Sequence, residues 1–152
     1  MHNTNTSLHI YTDGSCLNNP GRSAFSAIIE EVTEDGDLVK RWTATGREKD
    51  STNQRAELLA AIEGLRAVPS DFDGKIVVVT DSRYLSDGME KWMPGWKAKG
   101  LDKRPNADLW RILNKLSDNK NIRFKWVKGH SGHSSNETAH ALAYLTLQTE
   151  IA

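Results

Sequence analysis

An α/β domain is predicted by three observations. The first is the stretch Leu8-His9-Ile10-Tyr11-Thr12-Asp13-Gly14-Ser15. Leu8, Ile10 and Thr12 alternate with His9, Tyr11 and Asp13, the period-two pattern of a strand, and the run ends at Gly14 and Ser15, where a strand stops or bends. The second is an echo of it, Lys75-Ile76-Val77-Val78-Val79-Thr80-Asp81-Ser82. Its β-branched centre is expected of a strand buried on both faces by helices. The third is order along the chain: three strand-like segments come first, suggesting an antiparallel meander, and helical patterns come later. If the two echoing strands lie side by side and parallel, Asp13 and Asp81 emerge together at the end where open α/β sheets bind ligands. A lone strand-end aspartate is usually a turn former; two in matching contexts favour a site.

The remaining elements follow in order. The polar segment 1–7 cannot be a secretory signal and is expected to be a frayed tail. Cys16 to Arg22 is dense in turn formers. Ala24 to Val32 and Leu38 to Gly46 read as strands joined by a hairpin at Glu34-Asp35-Gly36-Asp37. Ser51 and Gln54 match a capping box opening a helix that runs to about Val68 and stops at Pro69. Leu58, Ile62 and Leu65 form its apolar stripe. Glu57 lies on a neighbouring face with Ala60, Ala61 and Gly64, small residues that let the helix approach the sheet. Glu57 alone has an ordinary explanation, an exposed first-turn acid offsetting the helix dipole.

A helix is expected from about Ser82 to Met89. The segment from Glu90 to Pro105 then holds Trp92 and Trp96 among Lys91, Lys97, Lys99, Lys103 and Arg104, broken by Pro94 and Gly95. It fits either amphipathic side chains packed on a core or a nucleic-acid platform of rings and cations. Asn106 to about Leu116 reads as a helix, Ile122 to Val127 as the last strand, and Lys128 to Ser135 as a Gly/Ser loop with His130 and His133. The final helix starts near Asn136, where Ser134 and Glu137 form a second capping box.

Composition sets the bounds. The 152 residues suffice for one domain with a real core and are too few for two. Hydrophobic content of 38% and charged content of 26% are ordinary for a soluble globular protein, and no apolar run approaches membrane-spanning length. One cysteine, Cys16, excludes an internal disulfide and fits a reducing cytosol, so a cytoplasmic location is expected. A formal net charge of zero argues against indiscriminate polyanion binding and leaves room for a local basic patch.

Over roughly Leu8 to Leu145 the chain resembles the bacterial type 1 ribonuclease H family. The resemblance is carried by Thr12-Asp13-Gly14-Ser15-Cys16 with Asn19-Pro20-Gly21, by Thr52-Asn53-Gln54-Arg55-Ala56-Glu57-Leu58, and by Thr80-Asp81-Ser82-Arg83-Tyr84. The Trp-rich basic segment, Asp108-Leu109-Trp110 and Trp126-Val127-Lys128-Gly129-His130-Ser131-Gly132-His133 extend it. It implies a ribonuclease H-like fold with a five-stranded mixed sheet of order 3-2-1-4-5 and flanking helices. It also implies hydrolysis of the RNA strand of RNA–DNA hybrids with Mg²⁺, or Mn²⁺ as substitute, by a monomer. The residue chemistry agrees, since Asp13, Glu57 and Asp81 supply hard oxygen ligands for such ions. By the same resemblance His130 transfers protons or assists product release. Asn19, Thr52, Asn53 and Gln54 match positions on the nucleic-acid backbone. Lys91, Trp92, Trp96, Lys97 and Lys99 match the handle that holds the DNA strand, here shorter than in the best-known members. One position departs from the pattern. The fourth acidic ligand, on the last helix, is replaced by His140, which either coordinates metal through a ring nitrogen or holds a metal-bound water.

Overall fold

The structure is a computed structural model that describes residues 5–128 together with Ala139 and Ala143. Its central strand is β1 (Thr6–Cys16), with β2 (Gly21–Thr33) and β3 (Leu38–Ser51) completing an antiparallel meander on one side. After helix α1 (Asn53–Arg66) the chain returns as β4 (Ile76–Thr80), which pairs with β1 in parallel, and β5 (Ile122–Trp126) pairs with β4 in parallel. The sheet order is therefore β3-β2-β1-β4-β5, as expected. In the β1–β4 ladder Tyr11 stands opposite Val79. Continuing that register by two residues sets Asp13 level with Asp81.

Between β4 and β5 lie α2 (Arg83–Asp87), a π-helical turn (Gly88–Trp92), α3 (Met93–Lys99), a 3₁₀ turn (Leu101–Lys103) and α4 (Ala107–Ser117). The main core forms where one sheet face meets these helices. Leu8, Ile10, Ile29, Ile76 and Val78 from the strands pack with Leu58, Ile62, Leu85, Trp110 and Leu113. The alternation of β1 sends Tyr11 to the opposite face, where it packs with Ile28, Val79 and Ala139. Gly64 explains how close α1 comes: a Cβ there would stand 2.5 Å from Ile10 Cγ2 and 3.0 Å from Ala27 Cβ.

Several expected boundaries are corrected. β2 and β3 are longer than the apolar pattern suggests, because ladder hydrogen bonds carry them through polar residues as far as Gly21 opposite Ser51. Ser51 is thus a buried strand residue, 1% exposed, and not the helix cap. Thr52 caps α1 instead, its side chain accepting the Arg55 N–H at 3.1 Å. Helix α1 ends at Arg66, a turn short of Pro69. Nor do Pro94 and Gly95 break the handle. Pro94 is the second residue of α3, directly after the π-helical turn, and the helix runs on through Gly95 to Lys99. Among the described residues no helix is long and apolar enough to cross a membrane.

Candidate active site

Three elements converge on one group of carboxylates. Asp13 is carried by β1, Glu57 by α1 and Asp81 by the residue after β4. One ligand oxygen from each lies within 4.8 Å of the other two. Asp13 is only 6% exposed, Glu57 is half-buried and Asp81 is exposed. The local structure at each is tight. Gly14 lets β1 run against α1: a Cβ at this position would sit 2.4 Å from the Ala56 carbonyl carbon. That approach allows the Gly14 N–H to donate to Glu57 Oε1 at 2.6 Å. Behind Asp81, Thr80 Oγ1 accepts the Ser82 N–H at 3.0 Å, and Ser82 Oγ caps α2 by accepting from the Leu85 N–H at 3.2 Å. The Trp126 indole N–H donates to the Asp81 backbone carbonyl at 3.0 Å. Asp81 is therefore an exposed carboxylate on a pinned backbone.

Glu57 is the electrostatic centre. Burial pushes its carboxyl well above the ordinary value of 4.5, and the charges of Asp13 and then Asp81 push it further; the Gly14 N–H pulls the other way. Among the described residues its buried Oε2 has no hydrogen-bond partner. A buried acceptor without a donor beside two more carboxylates is costly unless a proton, shared with Asp81, or a cation completes it. All-oxygen donors in a small cluster fit a hard divalent ion, so Asp13, Glu57 and Asp81 are suited to hold one. The expectation of an exposed, dipole-compensating first-turn glutamate is overturned. With Thr52 as cap, Glu57 is the fifth helical residue, and the approach of β1 encloses its carboxylate.

The expected nucleic-acid residues fall into two neighbouring groups. Asn53 Oδ1 accepts the Cys16 N–H and Asn19 Oδ1 accepts the Asn53 N–H, each at 3.1 Å, so Asn19 and Asn53 fasten the loop after β1 to the start of α1. Thr52 and Gln54 share that helix start. In the handle, Trp92 packs against Trp96 at a tilt of 47° with ring centroids 5.7 Å apart, and Trp96 meets Trp110 edge-on at 5.0 Å. Gln54 joins the two groups, because it lines a 210 Å³ groove with Tyr84, Trp92, Trp96, Arg104 and Trp110. Lys91, Lys97 and Lys99 are exposed, with Lys91 paired to Asp87 at 3.4 Å. His130 and His140 lie outside the described residues, as does Glu137.

The sequence reading assigned no role to Arg55. It bonds Glu48 Oε1 and Asp108 Oδ2 at 3.0 Å each and Asn106 Oδ1 at 3.3 Å. The ion pairs raise the Arg55 pKa and hold the Glu48 and Asp108 carboxyls below their ordinary values. Asn106 Nδ2 and Trp110 Nε1 both donate to the Tyr84 hydroxyl, at 3.1 and 3.2 Å. The network thus joins β3, α1, α2 and α4 behind the groove. Apart from Asn106 and Trp110, one turn apart at the start of α4, its members are scattered along the chain, so no local pattern could reveal it. A second unassigned arrangement is the Arg83 guanidinium stacked on Trp126, 3.9 Å from the ring centroid.

Comparison with known proteins agrees with this geometry. The RNase H family model matches residues 5–148. Ribonuclease H of Cupriavidus pinatubonensis is 43% identical over 139 residues, covering 88% of this chain and 90% of its own. LC9-RNase H1, described as a type 1 RNase H with the type 2 active-site motif, superposes with a TM-score of 0.85 at 29% identity, over 98% of this chain and 75% of that one. LC11-RNase H1, solved in complex with RNA/DNA hybrid, shares the fold with a TM-score of 0.70 at 19% identity, over 95% of this chain and 99% of its own. The class to which these matches point is a family of divalent-metal-dependent hydrolases, and the clustered carboxylates on this sheet are consistent with it. The chain belongs to the ribonuclease H family, endonucleases whose general activity is cleavage of the RNA strand in RNA–DNA hybrids.

Proposed function

We propose that this chain hydrolyses the RNA strand of RNA–DNA hybrids with two divalent ions in the site, leaving 5′-phosphate and 3′-hydroxyl ends. The observation that carries the reading is the buried Glu57 Oε2, with no hydrogen-bond donor among the described residues, set against Asp13 and Asp81. Asp13, Glu57 and Asp81 hold the ions, Mg²⁺ by preference of hard oxygen donors and Mn²⁺ as substitute. When bound, the ions supply Lewis-acid stabilisation of the attacking and leaving oxygens. His140 either coordinates an ion through a ring nitrogen or holds a metal-bound water, and His130 transfers a proton or assists product release. Asn19, Thr52, Asn53 and Gln54 bind the backbone beside the cluster. Lys91, Trp92, Trp96, Lys97 and Lys99 hold the DNA strand, with rings for sugars and bases and cations for phosphates. The working unit is a monomer in the cytoplasm.

The test is incubation of end-labelled RNA–DNA hybrid with Mg²⁺ or Mn²⁺, beside duplex DNA and duplex RNA. Cutting of the RNA strand of the hybrid alone is expected, because the 2′-hydroxyl distinguishes the strands. Comparable cutting of duplex DNA would refute the reading. Binding of hybrid without cutting in either metal would instead favour a binding module that lost catalysis when an acid became His140. In that case His140→Asp should restore cleavage in Mg²⁺.

A further inference from the structure

We infer that Glu90 is a positioning residue that sets the span between the tryptophan groove and the carboxylate cluster, and so selects which phosphodiester of a bound hybrid meets the cluster. The inference rests on the hybrid-cleavage reading above. Glu90 sits in the middle of the π-helical turn Gly88–Trp92, where the Met93 N–H reaches back to the Gly88 carbonyl. Such turns are rare single-residue insertions that recur at functional sites. Relative to an uninterrupted α-helix, one inserted residue rotates all that follows by about 100°. Trp92 is the last residue of the turn, so the insertion sets the direction in which the groove faces.

Glu90 locks that turn to the edge of the sheet. Among the described residues strand β5 pairs only with β4, which leaves its outer N–H groups outside the ladder. Glu90 Oε2 accepts the Phe124 N–H at 2.9 Å, while Oε1 pairs with Arg123 Nη2 at 2.7 Å. A carboxylate bonded to a backbone N–H is stronger than a neutral acceptor. Two residues further along the same strand, the Trp126 indole holds the Asp81 carbonyl at 3.0 Å. One rigid strand thus touches the handle at Phe124 and the residue bearing a cluster carboxylate at Trp126. Its length between those contacts is the ruler.

Two variants separate a ruler from a mere clip. Glu90→Ala removes both bonds, whereas Glu90→Gln keeps an acceptor for the Phe124 N–H and loses the charge facing Arg123. Each is assayed on a hybrid with one fixed end, mapping cut positions and measuring KM and kcat. Glu90→Ala should spread cutting onto neighbouring phosphodiesters and raise KM about fivefold with kcat within about twofold, the pattern of weakened binding geometry. Glu90→Gln should retain the wild-type cut positions. Hybrid binding without divalent metal is measured in parallel on a short duplex covering only the cluster and a longer one reaching the groove. Wild type should gain affinity with length, and Glu90→Ala should lose that gain. Unchanged cut positions and KM in Glu90→Ala would overturn the inference. So would a fall in kcat alone that tracks the folded fraction, because a clip does only that. If wild type cut no hybrid yet Glu90→Ala abolished the length-dependent gain, the hydrolysis reading would fail and Glu90 would keep its role.

Discussion

Glu57 is the residue on which the chemistry and the stability of the site meet. Its carboxyl is raised by burial and by Asp13 and Asp81, so folding favours its protonated form. The stability linked to that form is full below the unfolded value near 4.5 and is lost as pH rises through the folded value. Glu57→Gln removes this dependence while keeping an acceptor for the Gly14 N–H. The metal-free variant should therefore melt above wild type at neutral pH, and the gap should close as the solution is acidified toward the unfolded value. Metal should close it from the other side, since binding expels the proton and neutralises the cluster. Thermal melts of both proteins at several pH values, with and without Mg²⁺, check this; a gap independent of pH would contradict it. Sequence alone showed Asp13 and Asp81 at once, because each closes a strand-like run with the same Thr-Asp pattern, although β1 in fact runs past Asp13 to Cys16. Glu57 resembled any surface glutamate on a helix, and only the close approach at Gly14 makes it unusual.

At the scale of elements, α1 and the handle show what hydrophobic patterns can and cannot say. The small face of α1 predicted close packing on the sheet, and Gly64 lies between Ile10 and Ala27 with no room for a side chain. Gly64→Ala should cost about 1–3 kcal/mol from overpacking, less any gain in helix propensity. Urea denaturation measures it, and an unchanged midpoint would mean that the helix can shift away from the sheet. The handle was harder to read. Pro94 and Gly95 read as breakers although α3 runs through them, a π turn shifts the usual spacing, and what orders the segment is packing against distant residues: Met93 in the core, Trp96 on Trp110, Glu90 on β5. Its lysines remain exposed, as a phosphate-binding role requires. Replacing Lys97 and Lys99 together by alanine should raise KM more than it lowers kcat. The slope of log affinity against log salt should also flatten by up to about 0.9 for each phosphate no longer neutralised. An unchanged slope would place those lysines off the bound nucleic acid.

For the molecule as a whole, topology does the positioning. A central strand flanked by an antiparallel and a parallel neighbour brings Asp13 level with Asp81, and α1 returns across the sheet to deliver Glu57. The meander of the first three strands was legible from their succession, whereas the full order with β4 and β5 beyond β1 came only through resemblance, since periodicity identifies strands without pairing them. The Arg55 network was not legible, because its bonds to Asp108 and Asn106 join residues more than fifty positions apart, whereas Gln54, Trp92 and Trp96 of the groove were expected at the nucleic acid. The central claim is that the three carboxylates act as one cation-holding unit that drives hybrid cleavage. Single-turnover cleavage of an RNA–DNA hybrid by Asp13→Asn, beside wild type across a Mg²⁺ titration, tests it most directly. The variant should melt no lower than wild type without metal, since a charge has left a repulsive cluster. Its cleavage rate should fall by about 10²–10³ or more at every Mg²⁺ concentration, the scale of losing a group that stabilises transition-state charge. A rate within a few-fold of wild type at saturating Mg²⁺ would contradict the account.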